Sequence, residues 1–83
     1  MTHPPLRIGL VGVVFEADGQ PLRNIEVVLA GFPDIEVVRM SVPRCAPGSG
    51  LLTLVVNATT DQIGALAGRL GMIEAVRVKS IVL

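Results

Sequence analysis

The 83-residue sequence contains no tryptophan, no tyrosine and only two phenylalanines. Its core must therefore be built almost entirely from aliphatic side chains. Hydrophobic residues still make up 51% of the chain, which is high for a single small domain with so much surface. Either many apolar side chains face water, or a second copy of the chain covers them. We favour the second alternative, a homodimer or homotetramer, because small domains often complete their core by oligomerising.

The sequence also lacks a surplus of charge, since seven basic residues balance seven acidic ones. A neutral domain has no long-range electrostatic field to attract nucleic acid or an anionic membrane surface. The arginines are spread along the chain instead of being clustered on one segment. We therefore expect no direct nucleic-acid partner.

Only one cysteine, Cys45, is present, so the chain cannot form an internal disulfide. This composition fits a reducing compartment. The apolar run over residues 8–15 is much shorter than a membrane span, and no signal-peptide cleavage pattern follows it. We expect a cytoplasmic protein with no membrane partner.

Side chains for catalysis or metal binding are scarce. The single histidine, His3, lies in the proline-bearing start of the chain, and Cys45 lies in a proline-rich segment. A catalytic nucleophile needs a base within hydrogen-bond reach, and soft or borderline metals usually take three or four ligands. The sequence therefore predicts no enzyme activity, no metal site and no cofactor. A site assembled from several subunits is an alternative that stays open.

Hydrophobic periodicity divides the chain into a flexible tail, residues 1–5, and one domain, residues 6–83. The first helix is predicted to follow a cap at Asp18 and to end before Gly31, and residues 43–50 are predicted to form a loop. Four strands and a second helix complete the pattern. The strands are predicted over residues 6–15, 34–42, 51–57 and 75–83, and the second helix over residues 59–71.

The order β-α-β-β-α-β is that of a ferredoxin-like α+β fold, a four-stranded antiparallel sheet with two helices on one face. The strand over residues 51–57 is apolar at both parities, so some of its side chains must point away from the helices. In the strand over residues 34–42 the apolar parity switches near Val37 and Val38. A bulge at this point, or burial of both faces, would explain the switch. The uncovered sheet face favours a second subunit as its cover.

The stretch 59-TTDQIGALAGRLG-71 contains three glycines, but their spacing does not match a phosphate-binding loop. Thr59 and Gln62 have the spacing of a capping box, which predicts a helix start. An apolar stripe follows at helical spacing. Glycine within a helix is unfavourable, so Gly64 and Gly68 predict close packing against the sheet or against a neighbouring subunit.

The segment over residues 57–80 resembles the C-terminal half of the iron-only hydrogenase system regulators, which are small ACT-like proteins of ferredoxin-like fold. Upstream, Asn24 with Leu29 resembles the family's first helix, and 39-RMSVP-43 is similar to its arg-met-gly-x-pro, with Ser41 in place of the glycine. The C-terminal resemblance is carried by twelve positions. They are Thr60, Asp61, Ile63, Gly64, Ala65, Leu66, Gly68, Leu70, Gly71, Val76, Val78 and Lys79.

This resemblance implies a regulatory protein whose fold is also similar to the effector-sensing domain of the nickel-responsive repressor, a tetramer. The repressor's nickel cluster and DNA-binding segment have no counterpart here, so any control of genes would act through a separate protein partner. ACT-like domains hold small-molecule effectors near the first strand–helix turn, at subunit interfaces. The resemblance thus implies a ligand site at Asp18, Gly19, Asn24 and Arg39. The alternative is an assembly module that binds no ligand.

Overall fold

The structure is a computed structural model that describes residues 4–16, 20–46 and 48–83, with the backbone alone described for residues 42–46. Six elements follow one another in the predicted order of strand, helix, strand, strand, helix and strand. They are β1 (Arg7–Glu16), α1 (Gln20–Ala30), β2 (Glu36–Ala46), β3 (Ser49–Ala58), α2 (Thr60–Gly71) and β4 (Val76–Val82).

The four strands form one antiparallel sheet in the order β2-β3-β1-β4, with β3 and β1 at its centre. Both helices pack on the same face of this sheet, which confirms the predicted ferredoxin-like α+β fold. We call the other face, which neither helix covers, the open face. None of the described helices is long and apolar enough to cross a membrane.

The core lies between the helices and the sheet. Along β1 and β3, buried residues alternate with half-buried ones, because successive side chains of a strand point to opposite faces. The buried residues are apolar throughout, and no described polar or charged residue is among them. Those that form the hydrophobic core are Val11, Val13, Phe15, Ile25, Ile35, Leu52, Leu54, Val56, Ala58, Ile63, Leu66 and Leu70.

The second helix begins as its sequence predicts. The Thr59 side chain accepts a hydrogen bond from the Gln62 backbone N–H at 3.1 Å, and the Gln62 side chain accepts one from the Thr59 N–H at 2.9 Å. This capping box satisfies backbone donors that the first turn leaves unpaired. Behind it, the apolar stripe of α2 is buried against the sheet. The capped helix is confirmed.

The glycines of α2 do not pack against the sheet. Gly64 and Gly68 are exposed, and a Cβ atom added at either position would meet no neighbouring atom within 4 Å. They lie on the outer side of the helix, away from Ile63 and Leu66, which face the core. The prediction that these glycines pack against the sheet is therefore wrong. Their packing against a neighbouring subunit stays a prediction.

The hairpin that joins β2 and β3 corrects the loop predicted over residues 43–50. Residues 43–46 belong to β2, residues 49 and 50 belong to β3, and Ala46 pairs with Ser49. Pro43 is compatible with this because β2 is an edge strand, where a missing N–H need not break the ladder. Gly48 has φ 75°, the left-handed conformation that a tight turn often needs and that glycine adopts readily.

The predicted bulge near Val37 and Val38 is also wrong. Pairing of β2 with β3 is regular from Glu36 to Val42, and the irregularity falls between Val42 and Ala46. The parity switch instead reflects the two faces of the sheet: Ile35 and Val37 pack at the core, whereas Val38 lies on the open face.

Candidate functional site

A cavity of about 220 Å³ lies where β1 ends, α1 begins and the turn before β4 passes. We call it the end pocket. The backbone N–H of Glu16 donates to the carbonyl of Ala75 at 3.4 Å, which holds two of its walls together. Ala75 has φ 66°, a left-handed conformation that is uncommon for a residue with a side chain. The pocket is lined by Glu16, Gln20, Pro21, Asn24, Glu74 and Ala75.

The side chains of the end pocket offer mainly hydrogen-bond acceptors. Glu16 and Glu74 supply carboxylates, and no described lining residue is basic. The Asn24 amide oxygen accepts a hydrogen bond from the Gln20 side chain at 3.5 Å, across one turn of α1. Because an ionised carboxylate only accepts hydrogen bonds, this lining fits a ligand group that carries N–H donors.

Arg39 lies elsewhere, on the helix-covered side of β2, opposite the buried Leu54 of β3. Its guanidinium forms a two-pronged ion pair with Glu26 of α1, in which one nitrogen donates to a carboxylate oxygen at 3.2 Å. The hydrogen bond and the charge of Glu26 raise the pKa of Arg39 above its ordinary value. Both side chains are about half exposed, so the pair contributes little to stability.

Arg39 also borders a second cavity, of about 270 Å³, between the end of α1 and the start of β2. Its other walls are apolar, and they are formed by Leu29, Phe32, Pro33, Ile35 and Val37. The guanidinium beside this cavity is already bound to Glu26. This cavity therefore offers a ligand fewer polar side chains than the end pocket does.

The structure thus separates two of the predicted ligand residues. Asn24 lines the end pocket, whereas Arg39 pairs with Glu26 on another side of α1. Two positions apart on a helix, Asn24 and Glu26 point in directions about 160° apart, so one helix cannot bring both toward the same ligand. The other two predicted residues, Asp18 and Gly19, lie outside the described residues.

Sequence reasoning missed Glu16, Gln20 and Glu74 as lining residues. No motif distinguishes Glu74 from the other acids of the chain. The available signal is topological: pairing of β1 with β4 places Phe15 opposite Val76, which brings the residues beside them together. Among the described residues, no group of three or more His, Cys, Asp or Glu side chains is placed to hold a metal ion.

Comparison with solved structures confirms the fold. Uncharacterized protein TM1266 from Thermotoga maritima is 30% identical, with a TM-score of 0.84 over 94% of this chain and 98% of that one. The ACT domain of GTP pyrophosphokinase from Chlorobium tepidum is 18% identical, with a TM-score of 0.77 over 92% of this chain and 99% of that one. The C-terminal domain of MgtC from Mycobacterium tuberculosis is 17% identical, with a TM-score of 0.68 over 100% and 94%.

The last two likenesses establish the ACT-like fold alone, because their identities are low. No match was found among curated proteins. A family model, "TM1266-like: Iron-only hydrogenase system regulator, putative", matches residues 7–80, nearly the whole chain. Its description is that of a regulator and not of an enzyme. The chain therefore belongs to the TM1266-like family of iron-only hydrogenase system regulators.

Proposed function

We propose that this protein is a non-enzymatic regulator that works as a homo-oligomer and senses a small molecule at the end pocket. The observation that supports the proposal is the pocket's position beside the first strand–helix turn, where the resemblance to ACT-like proteins implies an effector site. Three separate segments form its walls, so a ligand there would link the end of β1 to α1 and to the turn before β4. The single cysteine favours a reducing compartment such as the cytoplasm.

The lining favours an effector with amine or amide N–H groups. Glu16, Glu74 and the Asn24 amide oxygen are acceptors around one small volume. The charge balance of the chain supports a role without direct nucleic-acid contact, so the regulatory output would pass through a separate protein partner.

Native mass spectrometry of the freshly purified protein tests both parts of this proposal. We expect a dimer or tetramer of the 8.7 kDa chain, together with a retained mass of a few hundred daltons or less. Asn24→Ala should remove the retained mass, whereas Arg39→Gln, a polar change outside the end pocket, should keep it. If both variants keep the retained mass, the ligand binds outside the end pocket.

The alternative function is an assembly module that binds no ligand. The size of the end pocket favours it, because 220 Å³ is below the roughly 300–1,000 Å³ of most ligand cavities. A stable oligomer with no retained mass would support this alternative. A monomer would contradict both functions.

A further inference from the structure

The open face has an apolar centre. The strand register aligns four of its side chains in one row that crosses the whole sheet, and these are Val38, Val55, Leu10 and Ile81. The outer two are 66% and 59% exposed, although each is a large aliphatic residue on a strand. Neither helix reaches this side, so no described part of the chain provides a second layer.

The two charged corners of the open face differ in net charge, because one carries Glu36 and the other carries Arg77 and Lys79 with one acid, Glu16, beside them. Glu36 begins β2, at one edge of the sheet, whereas Arg77 and Lys79 lie on β4, at the opposite edge. In the strand register Glu36 is opposite Asn57, and Arg77 is opposite Val14. The two charged residues therefore also lie toward opposite ends of the strands. Three strand spacings, about 14 Å, and three rows of side chains, about 20 Å, separate Glu36 from Arg77. These two residues cannot meet within one chain.

Two sheets that pack face to face adopt either an aligned or an orthogonal arrangement. An aligned pair related by a two-fold axis places Glu36 against Leu83 or near the far end of β2 of the second copy. A two-fold axis along the diagonal of the sheet that does not join Glu36 to Arg77 makes the strands cross at near right angles. It then places the Glu36 corner of each copy on the Arg77 corner of the other, with the apolar rows crossing at the centre.

We propose that the open face binds a second copy of this chain in the orthogonal arrangement, with Glu36 of each copy beside Arg77 and Lys79 of the other. This inference rests on the proposed self-association and specifies its surface and orientation. The four strands have seven to eleven residues and form a sheet about 19 Å wide, so two sheets that cross at right angles overlap over roughly 360 Å² per copy, or about 700 Å² in total. An interface of this size is in the range of weak, reversible association, so the complementary corner charges carry the choice of orientation.

Charge reversal at the two corners tests the orientation. The variants are Glu36→Lys and the double variant Arg77→Glu/Lys79→Glu, with Asp34→Lys as a control because Asp34 is an exposed residue in the turn before β2. Sedimentation velocity over a concentration series gives the dimer dissociation constant of each variant and of their equimolar mixture. Circular dichroism confirms that each variant is folded.

Each corner variant repels itself, because like charges meet twice in its own dimer. We expect the dissociation constant of either variant to rise about tenfold or more. In the mixture, the lysine introduced at position 36 of one chain would meet the glutamates introduced at positions 77 and 79 of the other. The second contact would join the unchanged Glu36 of the double variant to the unchanged Arg77 and Lys79 of the single variant, so both contacts become attractive.

We therefore expect the mixture to recover a heterodimer of nearly wild-type affinity, and Asp34→Lys to behave as wild type. Recovery in the mixture requires contact between chains, because the corners are too far apart within one chain.

Unchanged self-association of both corner variants, or a mixture that stays dissociated, would overturn the orthogonal arrangement. A wild-type chain that is monomeric at all concentrations would overturn the proposed self-association as well. The two failures are distinguishable because only the second concerns the wild-type protein.

Discussion

The two faces of the sheet are built from similar aliphatic residues, but one face is buried and the other is partly exposed to solvent. On β3, Leu54 and Val55 are neighbours of nearly equal hydrophobicity, yet Leu54 is 0% exposed beneath the helices and Val55 is only half-buried on the open face. Their difference comes from the layer above them and not from the strand. An aliphatic residue in this sheet is therefore a core residue on one face and a candidate contact residue on the other.

Truncation of these two neighbours should show the largest difference between the faces. Leu54→Ala leaves a cavity in the core, and we expect the free energy of unfolding to fall by about 2–5 kcal/mol. Val55→Ala removes a half-buried side chain, and we expect a loss of about 1 kcal/mol or less. Urea denaturation at concentrations low enough to keep the chain monomeric measures both. Equal losses would mean that the open face is covered in the isolated chain.

Replacement of glycine by alanine should show the next largest difference in stability between the faces. A Cβ atom at Gly50, on the helix-covered face of β3, would lie 2.7 Å from the Phe15 ring, so we expect Gly50→Ala to cost about 1–3 kcal/mol. A Cβ atom at Gly12, on the open face of β1, would lie no nearer than 3.9 Å to its closest neighbour. Thermal unfolding should therefore leave Gly12→Ala as stable as the wild-type monomer or slightly more so. A loss at Gly12 that matches the loss at Gly50 would contradict the comparison.

The outer side of α2 extends the comparison to the helix layer. Gly64 and Gly68 have no neighbour within 4 Å, so the double change Gly64→Ala/Gly68→Ala should raise the free energy of unfolding by about 1–2 kcal/mol through helix propensity alone. Chemical denaturation measures the gain. A gain with the oligomer intact assigns self-association to the open face. Loss of the oligomer would instead support the predicted packing of these glycines against a subunit.

The smallest expected effect is at the ion pair between Arg39 and Glu26. Both side chains are about half exposed, so Arg39→Gln should change the free energy of unfolding by less than about 1 kcal/mol. The effect should disappear in 1 M salt, where charges on the surface are screened. Arg23→Gln on the exposed side of α1 is the matched control. A larger loss that persists in high salt would show that the Arg39 stem packs on the apolar cavity beside it.

The predictions that depend on local geometry succeeded. Period-2 and period-3.6 patterns report local geometry, so the order of the six elements and the capping box at Thr59 are readable from neighbouring residues. The loop predicted over residues 43–50 was wrong because its two prolines and two glycines are turn formers on average. An edge strand accepts Pro43, and Gly48 has the left-handed conformation that a tight turn often needs.

The candidate site was less predictable than the fold. Resemblance to the family grouped Asn24 with Arg39. Similarity of sequence does not show that Asn24 lies on one side of α1 and that Arg39, on β2, packs beside another side. The end pocket depends on Glu74 as well, which is 50 positions further along the chain than Asn24. Contacts over such a separation arise only when β1 pairs with β4.

Residue order was enough to establish the elements, the family and the excess of apolar residues, because periodicity, caps and motifs depend on neighbours in the chain. Folding then determined which apolar side chains are buried, which acids share a pocket, and where the charges of the open face lie. These properties depend on strand register and helix placement. A shift of one residue in register would exchange the two faces of the sheet, although the sequence would be the same.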